Sequence, residues 1–199
     1  MKAIFEKIRA LARPYLDTRM NDLHTEISAR FARALIEKEG GSDDIILPAI
    51  LLHDVGWKRV PEEFHLRAFG PKADALEWQR THEKEGAEIA REILLQVAYD
   101  VEKIQEVLRI IDGHDSRKAA LSLNDRIVKD ADKLWRYSKE GFYIDIKRFE
   151  ETFEQGMKRL KSSLEKWFFT DSAKELARQE LTERRQEKVG NHHSGGPHV

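Results

Sequence analysis

The stretch "AILLHDVGW", residues 49–57, limits what this chain can fold into more than any other. Its apolar run reads as a buried helix, yet it finishes on His53 and Asp54, with Gly56 close behind. Aspartate is seldom buried unless it is paired or bound to a cation. Adjacent helical residues point about 100° apart, so both side chains can meet one ion only if it sits off the helix end. A small residue at Gly56 then lets the chain turn away and the ion approach.

Elsewhere apolar residues recur at three- and four-residue spacing with hardly any strand-like alternation, which predicts an all-α fold. Residues 2–13 predict a first helix ending near Pro14. Asp17 or Asn21 opens a second, with His24, Ile27, Phe31, Leu35 and Ile36 on one side, and Gly40 with Gly41 stops it. Ser42, Asp43 and Asp44 suit the start of a third that runs to His53 with a kink at Pro48. From Val55 to about Pro71 the pattern breaks into a long loop of the sort that covers a site. Thr81 is expected to cap a helix through residue 97, and Asp100 another through Ile111, before the loop "GHDSRKAALSL". Asn124 or Asp125 starts the next helix, and two long charged helices are expected over 143–168 and 171–188. The apolar stripe in "FEETFEQGMKRLKSSLEKWFF" is expected to cover the chain's own core, with a homodimer through these helices left open. This describes one domain over residues 1–190, with a core at about 17–140, a helical extension at 141–190 and a flexible Gly-rich tail at 191–199.

Lys plus Arg (35) nearly balance Asp plus Glu (36), so no global field draws nucleic acid or anionic membrane, and any phosphate binding has to be local. The absence of cysteine excludes disulfides and thiolate chemistry and fits a reducing cytoplasm. The charged start lacks the apolar region of a signal peptide, and no run reaches membrane-spanning length, so a cytoplasmic protein is expected.

Of eight histidines, three lie in the tail and His65 in a charged loop, whereas His24, His53, His82 and His114 sit near helices beside apolar residues. Asp132 stands in "RIVKDADKLW" among core-facing Ile127, Val128, Ala131, Leu134 and Trp135. Asp130, on a different face, is assigned to solvent or to hydrogen bonding behind the ligands. Two imidazoles and two carboxylates from three helices suit a divalent transition metal such as manganese, iron, cobalt or nickel, with magnesium or zinc as further candidates. They leave coordination positions for water and substrate.

The ordered set "DLHTEIS", "LLHDVGW" and "DADKLW" resembles the signature of the HD-domain superfamily of metal-dependent phosphohydrolases over residues 20–140. The resemblance implies a helical bundle in which His24, His53, Asp54 and Asp132 hold a first metal that activates water for attack on phosphorus. His82 and His114 resemble the extra histidines of members with two metals, where the aspartate of the His-Asp pair bridges both ions. One ion is the minimum, and two follow if His82 and His114 bind. Otherwise these histidines serve as phosphate donors or proton shuttles. The GYP motif of cyclic-di-GMP phosphodiesterases is missing.

Asp54, Lys133, His82 and His114 are the residues assigned to catalysis. Lys133 leads the candidate phosphate contacts, ahead of Lys58, Arg59 and Arg80, and Glu83 and Asp115 are weaker candidates for proton transfer. The expected activity is hydrolysis of a phosphoester in a nucleotide or other small phosphorylated metabolite. The alternatives are a di-iron oxygenase on nearly the same ligands and a non-catalytic metal-binding regulatory module. Selectivity is expected from the loop at 55–80 and from Trp57, Phe64, Trp78 and Trp135.

Overall fold

The computed structural model describes residues 2–70 and 73–193, with side chains through residue 188. Among the described residues the fold is all-α, without a strand. The helices are α1 (Ala3–Ala12), α2 (Asn21–Glu39), α3 (Asp43–Leu52), α4 (Glu77–Gln96), α5 (Val101–Ile111), α6 (Leu123–Leu134), α7 (Lys139–Arg148), α8 (Phe153–Trp167) and α9 (Asp171–His193). None is long and apolar enough to cross a membrane.

Helix α3 is the axis of the bundle. Every residue from Ile46 to Leu52 is buried, and α1, α2, α5 and α6 all pack on it. A helix that is apolar all round has to be sheathed all round, since each Leu or Ile it buries contributes about 1.5–3 kcal/mol. Pro48 lies inside this helix and has no N–H to offer the carbonyl of Asp44. The Tyr99 hydroxyl donates to that carbonyl instead, at 2.7 Å.

Several helix starts differ from the sequence expectation. Ser42 precedes α3, but its side chain makes no capping bond. Its N–H donates to Asn124 Oδ1 at 2.9 Å and ties α3 to the start of α6. Helix α4 begins at Glu77, so Thr81 lies within it, with its hydroxyl donating to the Glu77 carbonyl. Asp100 does cap α5, and Ser122 caps α6.

Among the described residues beyond 138 there are three helices rather than two, because the chain breaks between Arg148 and Phe153. Glu150 takes a left-handed φ of 56°, and Thr152 with Gln155 forms a capping box that starts α8 afresh. The apolar stripe is buried within the chain: Met157, Leu160 and Leu164 of α8 meet Ala173, Ala177 and Leu181 of α9 in the core. Asp130 holds this extension. It is fully buried, away from solvent, and accepts from the N–H groups of Phe169 and Thr170 and from the Thr170 hydroxyl at 2.7–2.9 Å. Burial pushes its carboxyl up to about 6 against those three donors. Helix α9 extends through His193, and residues 194–199 of the expected tail lie outside the described residues.

Tyr99→Phe is expected to cost about 1 kcal/mol in urea unfolding, because it leaves a part-buried carbonyl without its donor. In a Pro48→Ala background the restored helical N–H supplies that donor, and the same substitution is expected to cost clearly less. Equal costs in both backgrounds would refute the substitution of hydroxyl for amide.

Candidate metal centre

The C-terminal end of α3 delivers His53 and Asp54 where the helix stops. His53 keeps helical backbone angles, whereas Asp54 leaves them at φ −104° and ψ 5°. The His53 Nδ1–H donates to the Ile50 carbonyl at 2.8 Å, satisfying a last-turn acceptor. A carbonyl only accepts, so in the neutral ring the Nε2 lone pair is directed into the site. His114 repeats the arrangement just past α5: its Nδ1–H donates to the Ile111 carbonyl at 2.9 Å. The sequence places four histidines near helices; His24 and His82 lie within α2 and α4, and His53 and His114 stand just past the ends of α3 and α5 in this same way.

Around Asp54 the side chains divide into two sets. Its Oδ2 lies 3.5 Å from His24 Nε2 and 3.8 Å from His53 Nε2. Asp132 Oδ1 joins them, at 3.3 Å from His24 and 3.6 Å from His53. Asp54 Oδ1, in turn, lies 3.8 Å from His82 Nε2 and 3.7 Å from His114 Nε2. Asp115 Oδ2 completes that second set, 3.8 Å from each of these histidines. Donors about 2.1 Å from one ion stand about 3.0 Å apart at octahedral angles and about 3.4 Å at tetrahedral ones. The two sets therefore have spacings that suit divalent cations, and Asp54 offers one oxygen to each.

The donor chemistry points the same way. Within the first set, the Nε2 atoms of His24 and His53 approach to 2.8 Å, and in the second those of His82 and His114 approach to 3.3 Å. Buried imidazole nitrogens facing each other across such gaps, ringed by carboxylates, form a cradle for a cation rather than a set of mutual hydrogen bonds. Before any cation is counted, burial lowers His24, and burial with the neighbouring His114 charge takes His82 down to about 4. Burial also pulls on His53 and His114, but the carboxylates overcome it, raising His53 and lifting His114 to about 9. Asp54 and Asp132 stay well below the usual carboxylate range: burial opposes this, and the surrounding groups together outweigh it, His53 foremost for Asp54 and Lys133 foremost for Asp132.

Residues behind the ligands set these positions. Trp57 stacks on His82 (4.1 Å, 15°) and its Nε1–H donates to Asp54 Oδ1 at 3.1 Å. Gly56 has a reason other than leaving room for the ion: a Cβ there would lie 2.0 Å from the His82 carbonyl oxygen and 2.4 Å from Gly86 N. The glycine lets the turn after α3 press on α4 and so carries His82 to the site. Lys129, buried, donates to the carbonyls of Gly113, His114 and Arg117 at 2.7–3.0 Å and fixes the turn that holds His114 and Asp115. Glu83, offered above for proton transfer, is consumed in the same task. It accepts from the Asp115 and Ser116 N–H groups, the Ser116 hydroxyl and Arg80.

The centre opens on a cavity of about 470 Å³. Lys133 lines it, with its ammonium 2.7 Å from Asp115 Oδ1 and 2.5 Å from Asp132 Oδ2, so one of its three N–H groups remains for a ligand. The other three basic candidates lie elsewhere in ion pairs: Lys58 with Asp17, Arg59 with Glu85, and Arg80 with Glu83 and Asp112. The cations that do line the cavity are Arg19, Arg136, Arg148 and Arg159. No motif marks them, because they come from separate elements and converge only in the fold. Of the four aromatic candidates, Trp57 and Trp135 reach the cavity wall, while Phe64 and Trp78 stack on each other at 4.7 Å. His65 is buried outside the site against the Val60 carbonyl.

Asp54→Ala is expected to lower bound divalent metal in both sets, and His82→Ala in one only. Metal per chain after dialysis, counted by mass spectrometry, checks this, and equal losses in the two variants would remove the bridging place of Asp54.

The sequence model of the family described as "HD domain" matches residues 22–137. A solved structure of similar fold is a predicted HD superfamily hydrolase from an uncultured Thermotogales bacterium. It is 20% identical, with a TM-score of 0.63, over 98% of this chain and 93% of that one. No curated protein matches the chain.

Proposed function

The chain belongs to the HD-domain family, and from that premise we propose that it hydrolyses a phosphoester of a small phosphorylated metabolite, with nucleotides as the first candidates. The observation that carries this reading is the union of the His/Asp centre with a cavity lined by Lys133 and four arginines. A neutral substrate would leave that positive wall without a task, whereas phosphate oxygens match both the guanidinium fork and the ammonium.

Divalent metal held by His24, His53, Asp54 and Asp132, with a second ion at Asp54, His82, His114 and Asp115, would supply Lewis acidity, making water a competent nucleophile and balancing charge at phosphorus. The protein's own groups do the rest. Lys133 keeps Asp115 and Asp132 ionised and turned toward the two sets, and its remaining N–H is placed for a phosphoryl oxygen. Trp135, buried edge-on against His24 at 4.7 Å, fixes that ring and forms a dry wall beside the reacting group. Asp115 enters the set as a ligand candidate in place of its earlier assignment to proton transfer.

Metal-stripped protein resupplied with manganese and given a panel of nucleotides and phosphorylated metabolites is expected to release product, and to stop with chelator. Asp54→Ala is expected to lower turnover by about a thousandfold or more, and Lys133→Met by about ten- to a hundredfold with metal content retained. A fully loaded protein that turns over nothing on the panel, while consuming oxygen with an organic substrate, would overturn the proposal in favour of oxidation.

A further inference from the structure

The outer half of the cavity contains a cation that the metal centre does not use. Arg19 lies on the short connection into α2, where it and Met20 take left-handed φ angles of 55° and 60°. Residues other than glycine adopt this conformation at a cost, and pairs of them concentrate at sites where a side chain has to be aimed. Arg148 secures the connection by donating from Nη2 to the Arg19 carbonyl at 3.1 Å. The Arg19 guanidinium then rests 3.7 Å from the Trp57 ring and 4.2 Å from the Phe69 ring. Its Nε and Nη1 are shielded from solvent and have no hydrogen-bond partner.

An arginine in that position is unfavourable without a counter-ion. Burial and the charges of Arg148 and Arg136 depress its pKa to about 9, against Asp54 and Asp115, so it stays charged at neutral pH. The guanidiniums of Arg136 and Arg148 gather on the same Phe69 ring at 5.6 Å and 5.4 Å. These two share one carboxylate, Asp145, and Arg159 pairs with Glu151. Asp54 and Asp115 line the same cavity, yet among the described residues Arg19 has no ion-pair partner, so its guanidinium is the one of the four left to meet an anion.

We propose that Arg19, with Arg136 and Arg148 around it, forms a second anion site that binds a phosphate-class dianion of the substrate other than the group held at the metal centre. The inference rests on the phosphohydrolase reading and narrows it to substrates carrying two separated phosphates. Arg19 is a specificity-determining residue in this scheme. The Trp57 ring connects it to the centre, since Trp57 also stacks on His82 and donates to Asp54.

Non-hydrolysable probes separate this from turnover. Manganese-loaded protein would be titrated calorimetrically with alkane bisphosphonates over a ladder of chain lengths and with the matching monophosphonates. At one chain length the bisphosphonate is expected to bind about tenfold tighter or more, because charge-assisted hydrogen bonds to the second group are added. In Arg19→Gln that advantage is expected to fall to about twofold or less, with monophosphonate affinity preserved and the thermal midpoint equal or higher, since an unpaired buried charge has gone. Arg19→Lys keeps the charge without the fork and is expected to retain part of the advantage, and it serves as the readout if the glutamine variant does not fold.

No advantage at any chain length in the unaltered protein, or an advantage that survives in Arg19→Gln, overturns the proposal. So does a glutamine variant that melts earlier and binds mono- and bisphosphonate equally weakly, which marks Arg19 as a structural prop. Turnover of phosphoesters in the unaltered protein without the bisphosphonate advantage leaves the phosphohydrolase standing and removes only the second site. The advantage without turnover on any phosphoester does the reverse.

Discussion

The structure is organised around an electrostatic constraint at the end of α3: three carboxylates, Asp54, Asp115 and Asp132, are drawn together among four buried imidazoles. Charges of one sign at such separations stay ionised in a protein interior only where cationic groups stand among them. Lys133 supplies one such cation and reaches only Asp115 and Asp132. Asp54, which faces both histidine sets through different oxygens, is left with imidazoles and the Trp57 N–H. The geometry is that of a site whose His and Asp clusters could hold divalent metal.

That constraint explains the apolar bundle beneath it. Ligands held to a few tenths of an ångström need rigid carriers. His53 and His114 are carried on helix ends whose own carbonyls orient the rings, and α3 is gripped on all sides by α1, α2, α5 and α6. Where the chain has to turn sharply to bring Asp115 in, Gly113 takes φ 126° and the buried Lys129 and Glu83 tie down the peptide groups of the turn. The C-terminal helices extend the same logic, because Asp130 anchors the start of α9 from the element that presents Asp132.

The cavity beyond the ligands follows a different rule. Its arginines are only partly neutralised, and their aromatic ledges hold them where water is scarce. The centre is electrically arranged for metal and the outer wall for anions, which is the arrangement a phosphorylated substrate would bridge.

Much of this was legible in the amino-acid order alone. The helices follow from apolar spacing, the end of α2 and the start of α5 from Gly40 and Asp100, and the candidate ligands from His and Asp set into or just beyond apolar helices. These are properties of neighbours within a few residues, and short-range periodicity reports them directly. Tertiary structure alone decided which charges reach the cavity. Lys58, Arg59 and Arg80 stand beside the ligands in sequence yet are taken up by Asp17, Glu85, Glu83 and Asp112, while Arg19, Arg148 and Arg159 arrive from distant segments. The break at Glu150, the role of Asp130 and the contact that makes Gly56 necessary are of the same kind. Each depends on what packs across from it, and a charge or a missing side chain has meaning only once its partner in space is fixed.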